Sequence, residues 1–435
     1  MAQGFAIVNA EIWTMGSPGD RADSMLVRGD RVAMVGEERA VLGKAQRGGL
    51  KVADAGGRTI LPGLVDAHTH LVHQGLLRQR VDLRDASSLA GALRALRRRV
   101  ARQRGRALVL AERWDESRWP ERRYPRRDEL DAISATVPII LRRVDGHLAV
   151  GNRAACELLR GRLPGVDPDT GLLVEEASLN LNQVFPTPLP EATAALDFAQ
   201  GEALRLGVTT VHDFVVPSYL RAFEALHRQG RLRIRAHVSL YVEYLDALAA
   251  AGVAGGLGDD RLRLHGVKLF ADGSLGGHTA ALTEPYADAP ADRGRLNFTD
   301  AALSERVRTS RSAGLVPSIH AIGDAAIAQA ARSLRGVGDA RLRARIEHFE
   351  LHTPETVEAL VDSNVVASMQ PNFVGEWNRP GGLYETRLGS PRYRRINQFK
   401  ELQRAGVRLA FGSDCMPFDP WFGIAGCVGA PYPSQ

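Results

Sequence analysis

From residue 57 onward the chain repeats one pattern: a short apolar run rich in Val, Ile and Leu, a turn of Gly, Asp or Ser, then apolar residues at helical spacing. The runs at 59–68, 207–213, 232–240, 264–271, 315–320, 344–349, 365–370 and 408–413 predict eight strands. Segments such as DAAIAQAARSL and PETVEALVDS predict the accompanying helices. Strands alternating with helices in this number predict an α/β chain folded as a (β/α)8 TIM barrel.

Two regions break the pattern. Residues 1–56 hold short alternating segments, FAIVNAEIW, SMLVRGDRVAMVG and LKVADAGG, separated by Gly and Asp turns; they predict a small β-sheet module, sandwich-like in character, preceding a barrel over 57–435. The stretch between the first two barrel strands is far too long for one crossover, so 74–206 is expected to form an inserted subdomain. It contains an amphipathic helix, VDLRDASSLAGALRALRRRV, and an aromatic-rich loop, AERWDESRWPERRYP.

Composition narrows the class without deciding it. The chain has 435 residues, 44% of them hydrophobic and 24% charged, as in an ordinary globular protein. No run of about 18 apolar residues occurs and the start lacks a basic leader, so no membrane partner and a cytoplasmic location are expected. The net charge of +6 comes from 56 basic against 50 acidic residues, interleaved along solvated faces, which argues against a nucleic-acid partner. Cys156, Cys415 and Cys427 are too scattered for a disulfide framework or a CxxC zinc site. Lysine occurs only at 44, 51, 268 and 400, and every other basic residue is arginine. Lys268 thus stands out inside the apolar run GVKLF.

Candidate chemistry falls at the ends of the predicted strands. His68 and His70 in VDAHTH are two apart, so on a strand both imidazoles face one side and can reach one cation. Lys268, His320, His348 and Asp414 each close a further apolar run, and the carboxyl ends of the strands are where a barrel carries its reactive groups. Four imidazoles and a carboxylate suit a hydrolytic divalent metal centre. Lys268 is the candidate bridge between two ions: a desolvated amine is driven neutral and can add carbon dioxide to form a carbamate, which a guanidinium cannot do.

At this point the sequence resembles the amidohydrolase superfamily, in particular the amidohydrolase-3 group that includes N-substituted formamide deformylase. The resemblance is carried by GRTILPGLVDAHTHL, WDESRWP, VDGHLAVGNRAA, GVTTVHD, GVKLFADGSLGG, HAIGDAA, RIEHFEL, MQPNF and FGSDCMP, and spans nearly the whole chain. It implies His68 and His70 on the more buried ion, carboxylated Lys268 as bridge, His320 and His348 on the second ion, and Asp414 as both ligand and proton shuttle. The usual metal of the family is zinc, with iron and manganese also compatible with these ligands. The implied reaction is hydrolysis of a non-peptide amide of a small molecule by metal-bound hydroxide. Two alternatives stay open: a mononuclear deaminase-like enzyme with unmodified Lys268, and a non-catalytic barrel that binds a ligand or partner.

Other residues are weighed against structural roles. His147 and His212 match family stretches and are candidates for substrate contact, against packing or supporting roles; Asp272 and His278 are further candidates, and Trp114, with Trp119, is a candidate for the wall of a hydrophobic pocket, against anchoring of an exposed loop. Asp272 is also a candidate ion-pair partner of Lys268. Glu347 should face away from its neighbour His348 on a strand and serve as a structural ion-pair partner, and Asp324 is expected to cap a helix. Cys415 is expected to be a small buried thiol. Gly277-His278 replaces the Ser-Arg that often follows DGSLG in the group, so specificity is expected to differ. Only residues 415–435 follow Asp414, without the group's return to the amino-terminal sheet; that sheet is expected to be incomplete, and the chain either a homo-oligomer or a shortened form of a longer product.

Overall fold

The computed structural model describes residues 4–17, 19–102, 105, 107–336 and 343–429, and these divide into two compact units that meet at Leu64 and Val65. The first unit is one mixed sheet backed by a helix. Its central strand, Gly4–Trp13, runs antiparallel to Arg21–Ala22 and Ser24–Arg28 and parallel to Lys51–Ile60. Helix Glu38–Arg47 turns Val41 and Ala45, one helical turn apart, onto Ala6 and Leu26 to make the unit's core.

The apolar run expected as one strand over 59–68 is divided. Pro62 has no N–H for a ladder, so one strand stops at Ile60 and barrel strand one begins afresh as Leu64–Thr69. The other barrel strands are Val208–Val215, Arg235–Tyr241, Leu262–Phe270, Val316–Ala321, Arg345–His348, Val366–Met369 and Arg408–Phe411. They follow one another in order around a nearly closed barrel, parallel wherever their register is defined.

Strands one and eight lie at the two ends of this order, and side chains close the seam between them. Asp66 accepts from Ser413 N at 2.9 Å and Ser413 Oγ at 2.5 Å, while Asp414 N donates to His68 O at 2.8 Å. Gly412 permits the approach: a Cβ there would lie 2.3 Å from His68 N.

The insert builds a second sheet of Val81–Asp82, Val109–Trp114, Ile139–Arg143, Leu148–Gly151 and Leu172–Val174. Helix Leu89–Ala101, capped by Ser88, covers one face through Leu89, Leu93 and Leu96. Trp114 and Trp119 stack at 5.6 Å within that same core. The barrel rejoins this insert through helix Leu71–Leu76, where Gly75 lies so close to Ala195 that a Cβ would meet its carbonyl at 2.0 Å. Among the described residues no helix is long and apolar enough to cross a membrane.

Candidate metal centre

Period-two alternation turns Asp66, His68 and His70 to the same side of strand one. Asp66 is spent on the seam, and the two imidazoles reach a cavity of about 630 Å³ at the carboxyl ends of the strands. Lys268 from strand four, His320 from strand five, His348 from strand six and Asp414 after strand eight line the same cavity. All six residues expected to hold metal are therefore brought together. His70 Nε2 lies 3.2 Å from Asp414 Oδ1, His68 Nε2 lies 3.6 Å from the same oxygen, and the His320 and His348 rings are 4.4 Å apart. One donor atom each from His68, His348 and Asp414 lie within 4.8 Å of one another.

Three of the four imidazoles are held neutral, while burial of His70 is outweighed by the hydrogen bond and charge of Asp414, which raise its pKa. His68 Nδ1 is 2.7 Å from Glu347 Oε2, and His70 Nδ1 is 3.2 Å from Phe214 O, which leaves both Nε2 atoms for the cavity. Burial first, and then neighbouring charges including Lys268, hold the His68 and His348 imidazoles well below their ordinary pKa, so each keeps a free lone pair. For His320 the order is burial, then His348 and His147. Among the described residues His348 Nδ1 is buried without a hydrogen-bond partner, an orphan that a metal ion would satisfy.

Lys268 is 1% exposed. Its Nζ lies 3.4 Å from His68 Nε2 and 4.4 Å from the centre of the Phe214 ring, and among the described residues no carboxylate is within ion-pair distance. Burial pushes its pKa down to about 8, against the pull of Glu347 and Asp414. The donor set thus fits a divalent metal, and the amine is in the environment that favours a carbamate.

Glu347 is the ion-pair partner the sequence suggested, with Arg345, but it does not face away from the donors. It points into the barrel beneath His68, braced by Arg345 at 2.7 Å, and Arg345 also reaches Ser368 Oγ at 2.8 Å. Both Glu347 and His348 can face inward because His348 leaves the strand with φ of 74°, which breaks the alternation. Asp414 and Cys415 are also left-handed, at 49° and 58°, so the backbone is strained where it presents two of the donors. The Cys415 thiol is buried against Thr69 Oγ1 at 3.2 Å, and burial pushes its pKa up, as expected for a packing residue.

Of the residues considered for substrate, His147 lines the cavity. Its Nδ1 is 2.8 Å from Glu175 Oε2 and its ring is 4.9 Å from that of His320. Burial opposes its protonation, but the charge and hydrogen bond of Glu175 outweigh burial and lift the pKa to about 9.

The other four lie elsewhere. His212 sits one inward-facing position below Phe214 on strand two, stacked 4.8 Å from His237 and edge-on to His265. Asp272 is fully buried and accepts from the backbone N–H groups of Ala281, Ile322 and Gly323; it ties two loops together instead of pairing with Lys268. His278 bonds Asp288 at 3.1 Å in a separate depression. Trp114 is core to the insert because its strand turns it onto Leu96 and Trp119. Asp324 is also not the expected cap: Gly323 holds that position, and Asp324 in the first turn accepts from Thr283 N at 2.9 Å.

The model of the amidohydrolase family matches residues 51–430. The chain belongs to the amidohydrolase family. An uncharacterized metal-dependent hydrolase from Pyrococcus horikoshii, of known structure, superposes on this amidohydrolase with a TM-score of 0.81 at 30% identity, covering 98% of this chain and 86% of that one. The putative amidohydrolase YtcJ of Bacillus subtilis is 27% identical over 96% of this chain and 82% of its own length. N-substituted formamide deformylase of Arthrobacter pascens is 23% identical over 96% of this chain and 83% of its own.

Proposed function

We propose that this amidohydrolase is a metal-dependent hydrolase that cleaves a carbon–nitrogen bond of a small non-peptide amide. The observation that carries the reading is Lys268, a buried amine without an acidic partner among the described residues, set among imidazoles that line one cavity. The deformylase relative supports an amide-type bond. His68 and His70 would hold one divalent ion, zinc being the first candidate, and His320 and His348 a second, with Asp414 and a carbamate on Lys268 completing the set. Such ions supply Lewis acidity and lower the pKa of bound water.

The chain's own groups do the rest. The Asp414 carboxylate, 8% exposed and 3.2 Å from His70 Nε2, takes the proton of the attacking water and returns it to the departing nitrogen. Glu347 and the Phe214 carbonyl keep the His68 and His70 rings from turning. His147, held through Nδ1 by Glu175, offers its Nε2 edge to substrate.

A mononuclear enzyme is the second reading, favoured by the tight grouping of His68, His348 and Asp414. Metal analysis of purified protein, joined to an assay of free amine release from a panel of small amides, tests both. Two equivalents of metal with amine release support the dinuclear reading, and one equivalent supports the mononuclear one. Protein that takes up no metal and releases no amine after reconstitution overturns both.

A further inference from the structure

The cavity carries a second polar cluster that the reaction above does not use. Glu112, on the insert strand Val109–Trp114, is almost fully buried between two guanidiniums. Arg80 Nη1 reaches its Oε2 at 2.6 Å, and Arg142 Nε on the neighbouring strand reaches its Oε1 at 2.7 Å. Both guanidiniums also donate to His73 Nδ1, Arg80 at 3.2 Å and Arg142 at 3.0 Å. A nitrogen that accepts from two cations carries no proton, so His73 is neutral here. Two positive charges therefore share one carboxylate on the cavity wall.

That surplus is local. Arg113 and Arg143 also line the cavity, but Asp82 pairs the former, and Glu116 and Asp145 the latter. The side chains of Arg80 and Arg142 remain 16% and 13% exposed toward the cavity, and among the described residues no protein acceptor meets Nη1 of Arg142. A half-matched cation in a desolvated wall is a poor structural brace and a good receptor for an oxyanion, which would accept a charge-assisted hydrogen bond from the Nη1 left over by Glu112 and His73.

We propose that Arg80 and Arg142 form an anion subsite, and that the amide cleaved by this chain bears a carboxylate a few atoms from the scissile bond. The spacing follows from helix Leu71–Leu76: His70 stands at its start and His73, which touches both arginines, lies three residues on, an advance of about 4.5 Å. Phe214, Phe270 and Tyr241 line the same cavity and give an apolar part of the substrate a surface to pack on. The inference rests on the amide-hydrolase reading, and the experiment separates the two.

Reconstituted protein is assayed with N-acyl amino acids and with their methyl esters, which differ only in the anion. The expected result is a preference for the acids of about 10- to 100-fold in kcat/KM, the range of a charge-assisted hydrogen bond. In Arg142→Gln that preference collapses toward unity through a rise in KM for the acids, and Arg142→Lys restores part of it. Equal hydrolysis of acids and esters by the unaltered protein overturns the subsite and leaves the amidase reading standing.

If neither series is hydrolysed, calorimetry with N-acylglycines and their methyl esters decides the subsite alone. Binding of the acids that is lost in Arg142→Gln and partly kept in Arg142→Lys supports it, and absence of binding overturns it.

Discussion

Glu347 Oε2 and His68 Nδ1 lie 2.7 Å apart beneath the cavity floor, and Arg345 grips the same carboxylate from the side. The glutamate thereby sets which nitrogen of His68 carries the proton and which way the ring points. Replacing it by Gln keeps the shape and removes the negative charge. We expect Glu347→Gln to weaken metal binding by about 10- to 100-fold, measured by competition with a chromogenic chelator. Unchanged affinity would show that the ring is oriented by its packing alone.

Lys268 offers a sharper test, because its amine is buried and, among the described residues, has no acid within ion-pair distance. Lys268→Ala should lose part of the bound metal and most of the activity, and short carboxylic acids that occupy the vacated space should restore some of both. Lys268→Arg should respond neither to these acids nor to bicarbonate, since a guanidinium forms no carbamate. Full activity in Lys268→Ala would remove the bridging role and favour the mononuclear reading.

For Asp414 the expected signature is a separation of binding from turnover. Asp414→Asn preserves size and an oxygen donor but loses the proton acceptor, so kcat should fall by about 10²- to 10⁴-fold while metal content changes much less. Metal analysis and steady-state kinetics on the same preparation check this. Turnover at the original rate would assign the proton transfer to another group.

A fourth prediction concerns pH and the imidazoles of His212, His237 and His265, which touch one another inside the barrel. Burial first lowers the pKa of each, with Arg345 a further cause for all three, and takes His265 down to about 3. Each folded pKa is below the ordinary value, so the unfolded chain binds more protons between the two. Their contribution to stability is present above about pH 6.5 and is lost as pH falls below that, for His265 down to about 3. Thermal unfolding across this range should show a shallower decline in His265→Asn than in the unaltered protein. Identical slopes would refute the linkage.

Trp114 separates packing from substrate contact. Its burial against Trp119 and Leu96 predicts that Trp114→Ala lowers stability by about 3–5 kcal/mol. Trp114→Phe, which keeps an aromatic ring in that core, should leave KM unchanged for any amide that is hydrolysed. A selective rise in KM in the Phe variant would return Trp114 to the cavity wall.

The barrel was legible because each strand is a short apolar run bounded by turn residues, and the donor residues were legible because each closes such a run. Readings failed where alternation is broken at a strand end or where a side chain's surroundings are set by distant segments. His348 steps out of the strand with a left-handed backbone, so Glu347 turned inward against the period-two expectation. His212 shares a face with Phe214 but lies a rung deeper, out of reach of the cavity. Trp114 stood in an aromatic-rich segment that suggested a pocket wall, and only the folded sheet shows it turned onto its own helix. Arg80, Glu112 and Arg142 come from three segments with no common motif, and nothing local announces that they meet. Asp66 could have been found: it sits at the same two-residue spacing as the histidines that follow it.

The side chains at the barrel seam also set the order in which this protein can assemble. Asp66 and Ser413 are 347 residues apart in sequence, and the bond between them lies beside the one that brings Asp414 to His68. No nascent chain can hold the complete donor set until strand eight has been synthesised and has closed on strand one. Closing so long a loop is an entropically expensive and late event. An ion held by the full set would therefore belong to the final stage of folding, as the clasp on a finished ring and not the seed around which it grows.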